Sequence, residues 1–381
     1  MSDPVYLDYN ATTPVAPEVV DAMLPFLREQ FGNPSSSHDR GQYARQAVFD
    51  ARRQVAALIG ATPEEIVFTG CATEANNLAL LGVAAASGEG QRHLVISAVE
   101  HPAVTQPALH LRELGWAVSV VAVDGSGRVA PEAVAAALRP DTALVSVMHA
   151  NNEVGTIQPV AEIAALTRPR NILLHTDAAQ SVGKIGVNVE ALGVDLLTLA
   201  GHKFYATKGI GALYVRAGTP MRAITFGADQ ERGLRPGTEN VPAMVGLGTA
   251  ARLARERLPE ATVRLRGLRD RLHARLAEAI PGLVLNGHPD ERLPNTLHVS
   301  FPGVTGRMLL HAASGEVAAS LGSACHSEHD AVSGVLAAMG VDAARAAGAV
   351  RLSVGMMTAD EEVDHAAAGL IAAWQDIRSP I

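Results

Sequence analysis

Between about residues 60 and 220 the sequence switches repeatedly between two kinds of hydrophobic segment. This alternation constrains the fold more than any other feature. Short β-branched or apolar runs at 66–69, 94–97, 117–121, 144–148, 173–176, 196–200 and 212–215 read as strands. Longer Ala/Leu-rich stretches at 74–86, 102–114, 131–138 and 160–166 read as helices between them. Strand–helix–strand succession builds a mainly parallel sheet with helices on both faces. The expected class is therefore α/β, with ligands held beyond the carboxyl ends of the strands. Residues 243–279 form a long helical stretch with Leu265, Leu268, Leu272 and Leu276 at helical spacing and Pro259 as an expected interruption. It leads into a C-terminal unit, about 262–381, of helix, strands and a terminal helix at 360–377.

A chain of 381 residues has room for two domains, or one large domain and an appendix, at about 150 residues each. Its 31 basic and 39 acidic side chains give a net charge of −8, which argues against generic nucleic-acid binding. The arginines at 264, 266, 269, 271 and 275 alternate with acids such as Asp270 and Glu278 and read as a solvated helix face. Apolar runs such as 78–86 fall far short of the roughly 20 residues that span a bilayer. The first ten residues, MSDPVYLDYN, place an acid where a signal peptide needs positive charge. A soluble, cytoplasmic protein without membrane contact is expected. Two cysteines, Cys71 and Cys325, make neither a disulfide framework nor a four-cysteine zinc site. Three lysines, Lys184, Lys203 and Lys208, are the only candidates for covalent amine chemistry.

The strand ends carry the chemistry. Residues 69–74, TGCATE, join a strand to a helix whose first N–H groups could take an anion. Asp177 closes one strand and Lys203 follows another. A lysine directly after a buried strand is uncommon unless its amine is used. Pyridoxal 5'-phosphate needs a lysine for a Schiff base, a carboxylate on its pyridine nitrogen and donors around its phosphate. Lys203, Asp177 and the 69–74 turn supply that set, and His101 at another strand end could stack on the ring and carry a proton. Lys184 and Lys208 are expected in solvent.

The segments YLDYNATTP (6–14), GNPSS (32–36), ATEANN (72–77), NNEVG (151–155), HTDAAQ (175–180), GHK (201–203), RPGTEN (235–240), GSAC (322–325) and RLS (351–353) occur in this order along nearly the whole chain. Together they resemble cysteine desulfurases of the NifS/IscS type, in the class-V aminotransferase family of pyridoxal-phosphate enzymes. The resemblance implies the fold-type I architecture: a large domain, 15–260, around a mainly parallel seven-stranded sheet, and a small α+β domain, 1–14 with 261–381. It implies that Lys203 carries the cofactor and Asp177 pairs with its ring nitrogen. Asn152 and Gln180 would bond the ring hydroxyl, and His101 would stack on the ring. Thr73 and His202 would hold the phosphate, and Thr238 would do so from the second subunit of a homodimer. Asn33 and Arg351 would take the substrate carboxylate. Cys325 would be the nucleophile that takes sulfur from L-cysteine as a persulfide, releasing alanine and passing the sulfur to an acceptor protein. Iron–sulfur assembly, tRNA thiolation and DNA phosphorothioation are the uses implied.

Selenocysteine lyase is a second resemblance, carried by the Cys-His-Ser at 325–327 and by RLPNT (292–296). Zinc on Cys325, His326 and His329 lacks a second cysteine pair. Some positions depart from the family's pattern. Ala200 stands for a phosphate-bonding serine, Cys71 for a glycine, Ala206-Thr207 for Gly-Pro and Ala228-Asp229 for Gly-Gly. Cys71 is expected to be structural.

Overall fold

Neighbouring residues in each central strand go to opposite apolar clusters. Phe68, Val95, Val145, Leu197 and Tyr214 lie in one. Val67, Leu94, Leu144, Leu196 and Leu213 lie in the other. Side chains alternate across a pleated strand, so a run apolar at every position is a strand buried on both faces. That is why these segments form the middle layer.

In the computed structural model, residues 3–88, 90–322 and 333–379 are described. The strands are β1 Val5–Tyr6, β2 Ile66–Thr69, β3 His93–Ser97, β4 Ala117–Val121, β5 Thr142–Ser146, β6 Leu173–Asp177, β7 Leu196–Ala200 and β8 Gly211–Val215, followed by β9 Val284–Asn286, β10 Thr296–Ser300, β11 Val317–Ala318 and β12 Ala349–Ser353. The seven-stranded sheet has the order β2-β8-β7-β6-β5-β3-β4. Neighbours from β7 to β4 run parallel, whereas β8 is antiparallel to both β7 and β2. Two reversals leave β2 pointing the same way as β7. The carboxyl ends of β2, β3, β5, β6 and β7 therefore share one edge.

The strand expected at 144–148 is β5, two residues earlier. Val147 and His149 still bond to the neighbouring strand, through Val147 N to His175 O at 3.1 Å and His149 N to Asp177 O at 2.9 Å. The apolar run thus continues past the sheet into the site.

Helix Val241–Ala279 runs unbroken through Pro259, against the expected interruption. Proline weakens a helix by removing a donor and crowding the preceding turn. Here each half is anchored in a different core: Val241 to Leu253 lie in the cluster on one face of the central sheet, beside helices Pro17–Arg28 and Asp39–Ile59, and Leu265 to Leu276 pack in a second cluster. That second cluster also holds Leu297, Val299, Val350 and Leu352 from the antiparallel sheet β12-β10-β9, together with Val5 and Leu7. Truncating a side chain such as Leu272 to alanine costs about 2–5 kcal/mol in such a setting. Among the described residues, no helix is long and apolar enough to cross a membrane.

Candidate active site

The shared strand-end edge encloses a cavity of about 410 Å³. Thr73, His101, Asn152, Asp177, Gln180, His202, Lys203 and Arg351, all expected from the sequence, line it together. Asn33 and Thr238 do not line it. Asn33 is exposed, and its Oδ1 accepts the Ser35 N–H at 2.9 Å. Thr238 is exposed in the loop after β8. Cys325, and the polar residues at 326–330, lie outside the described residues.

Lys203 follows β7, and its Nζ donates to the carbonyls of Asn10 at 2.6 Å and Ala11 at 2.8 Å. Burial, reinforced by the Arg351 charge and opposed by Asp177 and Asp8, brings its pKa down to about 8. An amine so placed gives up its proton far more readily than a surface lysine.

Asp177 ends β6. Its Oδ2 accepts from Asn76 Nδ2 at 2.7 Å, and its Oδ1 accepts from the Ala179 N–H at 2.9 Å. Asn76 is fully buried one turn into helix Ala72–Ala86, three residues after Thr73. Its place in the ATEANN string is the one signal of it visible in the sequence. Glu100 is a second unforeseen member. Its Oε1 accepts from Ser97 Oγ and, at 2.8 Å, from the Met148 N–H, while Oε2 is buried without a partner. Burial raises its pKa to about 8, and the nearby Asp177 adds to the effect. Glu100 therefore holds its proton at neutral pH. His101 caps helix Pro102–Glu113, its Nδ1 accepting the Ala103 N–H at 3.1 Å. That bond leaves the ring proton on Nε2. Burial lowers its pKa, helped by Lys203 and opposed by Asp177.

At the cavity's other end, helix Ala72–Ala86 begins immediately after β2 and Cys71 caps it, with Sγ accepting the Glu74 N–H at 3.4 Å. Cys71 is exposed and takes the capping part that a Ser or Asn usually plays. Its turn lies on β8 because Gly211 has no side chain: a Cβ there would stand 2.8 Å from Cys71 C. His202, with its pKa down to about 4 chiefly through burial and next through Lys203, is neutral, and its Nδ1 meets Thr12 Oγ1 at 3.2 Å.

Arg351, buried on β12, bonds to Asp8 Oδ1 at 2.7 Å and to the carbonyls of Asn152 and Gly322, each at 2.9 Å. The N-terminal segment thus supplies part of the wall. Asn10 is its hub: its side chain bonds to Thr296 Oγ1 at 2.8 Å and to Asn295 Nδ2 at 3.0 Å.

Lys184 overturns an expectation. It is buried, with Nζ donating to Gln180 Oε1 at 2.9 Å and Asn10 Oδ1 at 3.2 Å. Gly183 (φ +79°) lets the chain turn inward, and a Cβ there would stand 2.7 Å from Phe204 Cβ. A turn without hydrophobic periodicity hides this burial from a reader of sequence. Lys208 is exposed, as expected.

The donor set matches one kind of cofactor: an amine of lowered basicity, a carboxylate held by two donors, a neutral imidazole, and a helix N-terminus with a second imidazole beside it. A model of the aminotransferase class-V family matches residues 5–365. The chain belongs to this family. Its members are pyridoxal-phosphate enzymes. A cysteine desulfurase IscS of Dictyoglomus turgidum is 45% identical over 366 residues, covering 96% of this chain and 93% of that one. A solved NifS-like protein superposes with a TM-score of 0.91 at 40% identity, covering 97% of this chain and 98% of that one. SspA, solved in complex with cysteine, superposes with a TM-score of 0.83 at 36% identity, covering 92% and 98% respectively. The expected α/β architecture with its seven-stranded sheet is thus the observed one.

Proposed function

We propose that this chain is a pyridoxal-phosphate-dependent cysteine desulfurase. It converts L-cysteine to L-alanine and leaves the sulfur as a persulfide on Cys325. The observation that carries the reading is the convergence of Lys203, Asp177, His101 and the capped N-terminus of helix Ala72–Ala86 on one cavity that also holds Arg351. The likeness to cysteine desulfurase IscS over nearly the whole chain supports it.

The residues divide the work by chemistry. Lys203 anchors the cofactor, Asp177 faces its ring nitrogen, and Gln180 and Asn152 serve its ring oxygen. His101 covers the ring face. Thr73 and His202 hold the phosphate, with Thr238 contributed across a homodimer. Bound there, pyridoxal phosphate supplies an electron sink for charge left at the substrate's α-carbon. Lys203 moves the proton at that carbon, a task suited to an amine whose pKa lies at about 8. Arg351 takes the substrate carboxylate in its planar fork, exchanging it for the Asp8 contact. Asn33 assists it. Cys325 attacks as the thiolate. Residues 15–260 form the cofactor domain, and 1–14 with 261–381 the smaller one; the separate apolar core around Leu272 supports this division. A cytoplasmic location and an acceptor protein for the persulfide complete the reading.

The test is a product balance. Protein loaded with pyridoxal phosphate and given L-cysteine should form alanine and a persulfide on Cys325 in equal amounts. The Cys325→Ser variant should keep the cofactor and form neither. Full turnover in that variant, or turnover of L-selenocysteine alone, overturns the assignment.

A further inference from the structure

Among the described residues, Lys184 is the one buried amine that this reaction leaves without a task. It sits in the turn after β6, its N–H donating to Ser181 O at 3.0 Å and its carbonyl accepting from Thr262 Oγ1 at 2.9 Å. Its two Nζ partners, Gln180 Oε1 and Asn10 Oδ1, are neutral amide oxygens. The charged groups that bear on it, Lys203 and Arg351, are both cations. A buried amine without a carboxylate is costly, and an apolar side chain of the same length would pack at less cost.

What the amine does is directional. An amide has a donor end and an acceptor end of nearly the same shape. Two carbonyl oxygens face Nζ, so Nζ donates to both. With Oε1 of Gln180 taken by Lys184, Nε2 faces the other way and donates to Asn10 O at 3.0 Å. Nε2 carries a second N–H, and Gln180 lines the cavity. Lys203 Nζ bonds to the same Asn10 carbonyl at 2.6 Å, so the amide sits beside the cofactor-anchoring amine.

We infer that Lys184 is a positioning residue: it holds the Gln180 amide so that the cavity meets an N–H donor and not a carbonyl oxygen. The inference rests on the pyridoxal-phosphate reading above. The donor would stabilise the anionic form of the cofactor's ring oxygen. Without the Lys184 amine, Gln180 can turn its oxygen toward the cavity, and the bound cofactor holds its proton more tightly.

The experiment is a pH titration of the visible absorbance of the holoenzyme. Lys184→Met keeps the stem and removes the donor. It should raise the titration midpoint by about one pH unit, a tenfold change in proton affinity, and weaken cofactor binding about tenfold. Gln180→Leu should shift the midpoint as far, and the double variant no further than either. An unshifted midpoint in either single variant overturns the inference. So does a double-variant shift equal to the sum of the two, because Lys184 would then act through its charge and not through Gln180. Should Lys184→Met fail to fold, Gln180→Leu decides alone: an unshifted midpoint there overturns the inference. A wild-type protein that develops no visible band with added pyridoxal phosphate sinks the functional reading itself. A normal wild-type band with unshifted variants sinks only the role of Lys184.

Discussion

The strand-end turns and the Asn10 junction line the same cavity but are built in different ways. At the strand ends, His101, Cys71 and Asp177 each make a bond within their own short segment. His101 caps the helix that follows it, Cys71 caps the next one, and Asp177 bonds to the N–H of Ala179 two residues on. At the junction, the side-chain contacts of Asn10 are all remote in sequence. Asn10 meets Lys184 across 174 positions, Asn295 across 285 and Ser353 across 343. The strand ends supply reactive groups, and the junction supplies their orientation. Losing a strand-end group should remove chemistry and spare the fold, whereas losing a junction group should loosen the fold and blur the chemistry.

The largest break on the strand-end side is Lys203→Ala. The visible cofactor band should vanish, and alanine formation from cysteine should fall by on the order of 10³–10⁴-fold. Circular dichroism should show an unchanged fold. An intact band would remove Lys203 from its role.

On the junction side, Asn10→Ala removes one acceptor each from the buried Lys184 and Asn295 donors and a partner of Thr296 Oγ1, while Lys184 keeps Gln180 Oε1 and Asn295 keeps the Val354 carbonyl. At about 0.5–1.5 kcal/mol for each lost hydrogen bond, the apoenzyme should lose about 3 kcal/mol in denaturant unfolding. A loss below about 1 kcal/mol would show that the junction is not a structural hub.

A third test uses pH. The Glu100 pKa is raised to about 8, so its contribution to stability is complete below the ordinary carboxyl value and is lost as the pH rises toward 8. Apoenzyme stability should therefore fall between about pH 5 and 8 relative to the Glu100→Gln variant, by a few kcal/mol at most. Parallel pH curves for the two proteins would mean that Glu100 is ionised throughout. Lys203, with a depressed pKa, has the opposite sign. Wild-type apoenzyme should gain stability relative to Lys203→Met as the pH rises from about 8 to 10. The smallest effect should come from Lys208→Met, because Lys208 is exposed. Cofactor content and turnover should stay within twofold, and a larger loss would extend the site beyond the cavity.

The same contrast explains what could be read from the chain. The strands at 66–69 and 196–200 match the structure residue for residue, because burial on both faces writes an uninterrupted apolar run; the edge strand 117–121 also matches, on its β-branched residues. Lys203 and Asp177 were legible because each stands out against such a run. Asn76 and Glu100 were hidden, since an Asn in a helix and a Glu beside a His are ordinary until a cavity closes over them. Pro259 misled for a related reason: its helix cost is local, but the two cores that hold the helix together are not.

By itself, then, the sequence determined the alternating α/β architecture, the strand-end cavity and the amine and carboxylate at its centre, because periodicity and strand ends are short-range properties. Only the tertiary structure decided that Lys184 is buried, that Glu100 is held protonated beside Asp177, and that Asp8 and Asn10 complete the wall. Those outcomes depend on which distant segments shut out water, and desolvation is set by the whole fold and not by neighbours in the chain.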